Sequence, residues 1–405
     1  MNSAAVSFAE PVLSIELKRD LAKHLKQGHR WIFASAFEEK RSVPSGIHLI
    51  TYKKEALALG IWQHDTQLRF RVLILAEDPL FRRNNIKRTL ELYFENQWRK
   101  ALEIRRVFDL KMTNSFRLIN GEGDGFPGLV VDIYNDTAVI KHDHGIMEKI
   151  WKASVIAEKI QQAFPQIKCV YLKRRNDVDE KGVNILGELA SEVQFLENGV
   201  LFASNIRDAA KTGFFLDQRD NRKIIQQFAK DKSVLNLFSY TGGFSLFAAR
   251  GGAKDVTSVD IAKVAIQAVQ RNFEINHLQT SHQDIAADAF EYLEQQILEK
   301  KKYDIVITDP PSFAPNEKSV EQAKAAYTKV FANSIKLVNP EGLFAASSCS
   351  SHISSQAFME ICQEAFSRCR KKATLIYRGG QPVDHPYPLA MEELRYLKFA
   401  LFRLD

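Results

Sequence analysis

The stretch Val234-Leu235-Asn236-Leu237-Phe238-Ser239-Tyr240-Thr241-Gly242-Gly243-Phe244-Ser245 decides the architecture of this chain. An apolar run over Val234–Phe238 reads as a strand, ends in a polar loop with two glycines, and passes into a helical pattern. Glycine has no Cβ, so two in succession let the backbone turn sharply and approach a bound group closely. A tight strand-to-helix turn without any ligand accounts for the same residues, and only the context separates the two readings. That context is alternation. Further strand-like runs lie at Val256–Asp260, Tyr303–Thr308, Leu343–Ser347, Thr374–Tyr377 and Leu397–Phe402, and helical stretches separate the first five of the six. Another strand is expected near Gln283. The pattern predicts a parallel, doubly wound sheet, in which ligands bind at the carboxyl ends of the strands.

The residues at those ends carry chemistry. The second strand closes on Asp260, 17 residues past Gly243, where a carboxylate can accept hydrogen bonds from both ribose hydroxyls of an adenosine ligand. Asp288-Ala289-Phe290 follows the third strand, a fitting place for adenine contacts. The fourth ends in Asp309-Pro310-Pro311-Ser312-Phe313. Two prolines forbid continuation of the ladder and stiffen the loop, leaving a carboxylate and carbonyls to face a planar substrate. Such loops mark methyltransferases acting on nucleobases or amides, the plain alternative being a rigid turn with a capping Asp. No G-x-G-x-x-G fingerprint is present, which disfavours NAD or FAD.

The fifth strand ends in Ser347-Ser348-Cys349-Ser350-Ser351, and adjacency of parallel strands would bring Cys349 close to Asp309. C5 of a pyrimidine is a poor nucleophile until a thiolate adds to C6 and turns the ring into an enamine. A thiol in that role must be partly ionised and open to the pocket. The alternative is a small buried cysteine. Cys169, Cys362 and Cys369 lie away from these strand ends and read as structural.

At 405 residues the chain is long enough for two or three domains. Its 45% hydrophobic and 26% charged residues suit a globular protein. No apolar run approaches the length of a membrane span. The N-terminus does not read as a signal peptide. Four scattered cysteines make no disulfide framework, so a reducing cytoplasm is the expected compartment. The net charge of +7 is uneven: residues 1–110 hold 19 Lys/Arg against 13 Asp/Glu. A basic N-terminal third suggests a polyanion-binding module, although a lysine-rich soluble surface would look the same.

Residues from Ile15 to Ala76 read as a small β-rich module. In it, Leu17–Lys26 is helical in pattern, and strands follow at Leu57–Trp62 and Leu68–Leu75. A helix over Asn85–Phe108 connects onward, with Arg88, Arg99, Lys100, Arg105 and Arg106 forming a basic side. The middle segment alternates at Ser115–Asn120 and turns at Gly121–Gly128. It continues with strands at Leu129–Tyr134 and Thr137–Lys141, one helix ending at Pro165, and strands at Cys169–Lys173 and Val193–Leu196. His142-Asp143-His144 is a strand-end turn before it is a metal site, and Lys173-Arg174-Arg175 is a surface or an RNA contact.

Taken together, these residues resemble the bacterial ribosomal RNA large-subunit methyltransferase I family, S-adenosylmethionine-dependent enzymes that make 5-methylcytosine in 23S rRNA. The resemblance is most specific in Phe116–Gly125 and Lys211–Arg222, and extends through Gly28–Phe33, Asn236–Ala249, Asp309–Phe313 and Ser348–Ser350. Ala209-Ala210 stands where family members have Gly-Gln. The resemblance implies a multi-domain α/β fold. A PUA-like RNA-binding domain would occupy residues 1–76, a connecting helix and central β-β-α-β-β domain residues 77–205, and a Rossmann-like class I methyltransferase domain residues 206–405. It implies that Phe215, Gln218 and the Tyr240–Gly243 loop hold the cofactor, Thr241 and Gly242 included, with Asp309 and Pro310 beside them. Asp260 would bind the ribose and Asp288 the adenine. Asp309 would orient and help protonate the cytosine, Cys349 would be the nucleophile, and Lys211, Pro311, Ser312 and Phe313 would meet the substrate. The resemblance also implies 23S rRNA as the partner, and relatives suggest a homodimer. Two alternatives stay open: guanine N7 or exocyclic amino methylation with Cys349 structural, and a non-catalytic RNA-binding or assembly factor.

Overall fold

The computed structural model describes residues 6, 11–38, 43–143, 145–174, 182–314 and 316–405; His144 and Arg175 lie outside them. Near the N-terminus a five-stranded sheet runs Ser14–Glu16, Gly46–Tyr52, Glu55–Trp62, Leu68–Leu75, Trp31–Phe33 in spatial order. Its central strands are almost continuously buried, because both faces are covered. Ile32, Ile50, Ala58 and Phe70 pack on one side. Leu59, Ile61 and Leu73 pack on the other against Tyr93, Phe94 and Trp98. Gly60 sits where the pairing of these strands slips by one residue; a Cβ there would lie 2.3 Å from the Arg71 carbonyl oxygen. The helix expected over Leu17–Lys26 is only Ala22–Lys26, because Leu17 instead bridges to Phe37.

The connecting helix is Ile86–Arg105, and the Asn85 side chain accepts the Arg88 amide at its start. Its basic side is interrupted at Arg105. That guanidinium is buried and grips Asp124 through two bonds of 2.6 and 2.7 Å. The alternation of the helix places position 105 on its inner face, where a cation is tolerated only because a carboxylate meets it.

The central sheet runs Gly182–Leu186, Cys169–Lys173, Thr137–His142, Leu129–Tyr134, Ser115–Asn120. The single helix expected before Pro165 is two, Gly145–Ile150 and Ala153–Ala163. The break falls at Trp151, whose indole donates to the Pro127 carbonyl while its own carbonyl accepts from His142. Val193–Glu197 leaves this sheet and forms a separate hairpin with Val200–Ser204. Its turn, Asn198-Gly199, is left-handed at both residues.

The C-terminal sheet has seven strands: β1 Ser233–Leu237, β2 Asp255–Asp260, β3 Ser281–Ala286, β4 Tyr303–Thr308, β5 Val338–Ser348, β6 Ala373–Gly379 and β7 Lys398–Leu404. Their order is β3-β2-β1-β4-β5-β7-β6. The five from β3 to β5 are parallel, as the alternation implies. The expectation of a wholly parallel sheet fails at β7, which is antiparallel to both β5 and β6. A parallel return needs a crossover of a dozen or more residues, usually helical. Between β6 and β7 the only helical turn is Glu392–Leu394, so the chain doubles back and inserts between its neighbours. No helix among the described residues is long and apolar enough to cross a membrane.

The segment from β6 to β7 is anchored by charge. Asp384 is fully buried and accepts two bonds from the Arg219 guanidinium, at 2.5 and 3.0 Å, and one from the Arg117 amide. Its backbone carbonyl takes a further bond from Arg105. Burial opposes the charge on Asp384, but His385 and Arg219 hold the carboxyl well below its usual range. Asp384→Ala would strand Arg219 without a partner in the interior. We expect a loss of about 3–5 kcal/mol, read as a lower denaturation midpoint, with Asp384→Ala unfolding at the wild-type midpoint as the contrary result. Because the folded pKa is depressed, this stabilisation is present above the unfolded carboxylate pKa and is lost as pH falls through the folded value.

Candidate active site

All the parallel strands of the C-terminal sheet point their carboxyl ends into one cavity of about 440 Å³. The loop after β1 is its most constrained wall. Phe238, Tyr240 and Gly242 have φ of 58°, 47° and 82°, and non-glycine residues rarely occupy that region unless the surroundings hold them there. The hold is visible. The Tyr240 amide donates to Asp260 Oδ2 at 2.9 Å, the Ser239 amide to the Val259 carbonyl, and Asn272 to the Thr241 carbonyl. Gly242 caps the helix Gly243–Arg250, and a Cβ on it would press on Val269 at 2.9 Å.

Asp260 ends β2 and lines the cavity, its Oδ1 taking the Ala262 amide at 2.9 Å. Both oxygens are aligned by backbone donors, and each keeps acceptor capacity toward the cavity. Asp288 caps the helix Ala289–Leu298 through Oδ1, which accepts from Phe290 and Glu291. It therefore combines a structural duty with a place on the cavity wall.

Asp309 follows β4, is half-buried, and bonds with Ser347 and Gln218. Burial pushes its carboxyl up to about 6. Gln218 is fixed in turn, donating to Ser347 Oγ at 2.8 Å and accepting from Asn221 at 2.6 Å. Cys349, just past β5, is partly exposed and lines the same cavity as Asp309. Burial and the Asp309 carboxylate push the thiol above its ordinary value, while Lys211 and Lys398 pull it down. Of the other cysteines, Cys169 and Cys362 are buried and Cys369 donates to the Ala332 carbonyl.

Not every expected residue reaches the cavity. Phe215, Gln218, Tyr240, Thr241, Gly243, Asp260, Asp288, Asp309, Pro310, Pro311, Phe313, Cys349 and Lys211 line it. Gly242 and Ser312 do not; Gly242 shapes the turn, and Ser312 Oγ pairs with Ser350 Oγ at 2.9 Å. Lys211 is bound to Asp217 at 3.0 Å and stacked 4.2 Å above the Phe215 ring.

Sequence reasoning passed over Asp217, Ile261, Leu397 and Lys398. Burial works against ionisation of Asp217, yet Lys211, His385 and a 2.8 Å bond from Tyr396 hold its carboxyl well below the usual range. Its signal was its position between Phe215 and Gln218. Ile261 is 71% exposed directly after Asp260, an apolar side chain left uncovered at the mouth of the site.

The residues fit S-adenosylmethionine. Ser239 Oγ, Thr241 Oγ1 and Asp217 Oδ1 are buried on the cavity wall without hydrogen-bond partners in the protein, which is where a polar ligand would satisfy them. Phe238, Phe290 and Ile261 supply flat or apolar surface beside them.

Comparison with known proteins agrees. The family described as S-adenosylmethionine-dependent methyltransferase matches residues 154–383, and a PUA-like domain matches residues 15–74. A ribosomal RNA large subunit methyltransferase of Deinococcus radiodurans is 33% identical, over 99% of this chain and 100% of its own. Ribosomal RNA large subunit methyltransferase I of Tolumonas auensis is 31% identical, over 96% and 99%. The crystal structure of SMU.776 complexed with SAH superimposes with a TM-score of 0.83 at 26% identity, over 97% of this chain and 100% of that one. By sequence, by shape and by what its cavity offers a ligand, the chain belongs to the family of S-adenosylmethionine-dependent ribosomal RNA large subunit methyltransferases.

Proposed function

We propose that this enzyme methylates C5 of a cytosine in 23S ribosomal RNA, with Cys349 as the covalent nucleophile. The observation that carries the reading is the meeting of Cys349 and Asp309 in one cavity, since N7 or amino methylation needs no thiol. The substrate is named by the relatives, which are called ribosomal RNA large subunit methyltransferases. The PUA-like domain and the basic N-terminal third suit phosphate contacts.

S-adenosylmethionine supplies an electrophilic methyl group. Asp260 would hold its ribose, Asp288 its adenine, and Phe215, Gln218, Pro310 and the loop Tyr240–Gly243 the remainder. The cytosine must leave its stack to enter; Pro311 and Phe313 would flank it, with Ser312 bracing the loop and Lys211 facing its phosphate or carbonyl side. The Cys349 thiolate adds to C6 and forms the S–C6 bond, and the electron pair of the 5,6 double bond moves to C5. Asp309, raised to about 6, retains a protonated fraction near neutrality and donates it toward N3 as that nitrogen gains charge. Once C5 carries the methyl group, loss of its proton re-forms the 5,6 double bond and expels the thiolate, and N3 returns its proton to Asp309.

A second reading, guanine N7 or amino methylation, draws on one observation: the thiol is pushed up rather than down. Covalent trapping separates the two. Cys349→Ala is expected to bind S-adenosylmethionine normally by calorimetry and to lose methylation by at least about a thousandfold, and RNA bearing 5-azacytidine to trap a wild-type adduct on the Cys349 peptide. Full activity in Cys349→Ala would end the C5 assignment. Asp260→Ala is expected to weaken S-adenosylmethionine binding by about tenfold to a hundredfold, the cost of lost bonds to a charged acceptor, with unchanged affinity as the contrary result. RNA affinity is expected to fall linearly in log–log against salt; a flat response would remove the basic N-terminal third from the interface.

A further inference from the structure

Resting on the reading of Cys349 as nucleophile, the geometry points to Lys398 as the positioning residue that braces its loop and favours its thiolate form. Lys398 opens β7 and is paired in register with Ser348, the residue before Cys349. Its side chain is 4% exposed. The ammonium donates to the Ser350 carbonyl at 2.5 Å and the Tyr396 carbonyl at 2.8 Å. An ammonium has three donors, so one is left over. Among the described residues no carboxylate lies within ion-pair distance of it. A buried cation without a counter-ion is costly, and the Cys349 thiol, one residue from both Ser348 and Ser350, is a group able to become one.

Two cations favour ionisation of the sulfur, Lys211 the more strongly and Lys398 the less. Asp309, Asp217, Lys211 and Lys398 act on Cys349, and the Tyr327 hydroxyl is close enough to feel it. The two carboxylates oppose ionisation of the thiol. Lys211 is bound to Asp217, so that pair is nearly neutral seen from the sulfur. The charged groups acting on Lys398 are Cys349, which supports its charge, and the like-charged Arg395, which opposes it. Burial brings its ammonium down to about 8, and Cys349 works against that fall. Its bond to the Ser350 carbonyl also pins the loop that carries the sulfur. A cation beside a cysteine favours the reactive anion, and here the pairing exists only because β7 inserts beside β5.

The test is the pH profile of Cys349 alkylation by iodoacetamide in the full chain, read peptide by peptide in mass spectra. Lys398→Met is expected to move the profile upward by about one unit and slow alkylation at pH 7 by about tenfold. Lys398→Arg, which keeps the charge, should stay within about threefold of wild type, a rescue that a purely structural role would not give. A Lys398→Met profile superimposed on wild type overturns the proposal. If Lys398→Met does not fold, the reciprocal measurement decides. Linkage requires that losing the thiolate lower the ammonium pKa. Lys398 in Cys349→Ala should therefore react several-fold faster with acetic anhydride at pH 7.5 than in wild type, and equal rates overturn the pairing. Retained methylation in Cys349→Ala alongside a shifted alkylation profile would sink the nucleophile reading and leave the charge pair standing.

Discussion

The bidentate contact between Arg219 and Asp384 is the constraint on which the site depends. Arg219 begins the helix that follows Phe215, Asp217 and Gln218, and Asp384 lies early in the return from β6 to β7. Joining them fixes one wall of the cavity against the other. Arg105 from the connecting helix donates to the Asp384 backbone carbonyl and the Arg117 amide from the central sheet to its carboxylate, so three parts of the chain meet at one buried residue. Arg222, bidentate to Glu197 at 2.6 and 2.7 Å, ties the same helix to the hairpin. Buried ion pairs are weak contributors to net stability but severe when half-broken, and here their value lies in placement.

The cavity itself follows from sheet physics. Parallel strands end on one side, and each end releases a loop there. The backbone strain at Phe238 and Tyr240 is sustained by Asp260, which serves the loop after β1 from the end of β2. One carboxylate thus shapes the loop after β1 and lines the cavity. Asp288 repeats the arrangement, capping a helix while lining the wall. Such double duty makes the local rules and the functional ones coincide.

The alternation of strands and helices, the glycine loop, and the strand-terminal Asp260, Asp309 and Cys349 were legible because each rests on periodicity or on a residue that breaks it. What escaped was set by contacts distant in sequence. Nothing local to Leu397–Phe402 says that β7 runs against its neighbours; only the lack of a helical crossover hints at it. Arg105 looked like part of a basic surface because helical spacing alone does not tell an inward arginine from an outward one until Asp124 is known to wait for it. Lys398 stood in a stretch, Tyr396-Leu397-Lys398, that looks like the family ending, but no role for it was legible there, because its partners come from residues 350 and 396 on either side of a strand pairing. The strand Gly182–Leu186 was missed because it has little alternation, with every residue at intermediate or greater exposure.

The insertion of β7 between β5 and β6 has a consequence for biosynthesis. Until residues 398–404 have left the ribosome, β6 has no neighbour to pair with, and the groove beside β5 is an open edge that invites misplaced partners. The segment carrying Ser348 to Ser350 acquires its backing only when this late strand slots in, a closure of high contact order. The wall beside β5 is therefore completed by a long-range pairing rather than by the local strand-helix units.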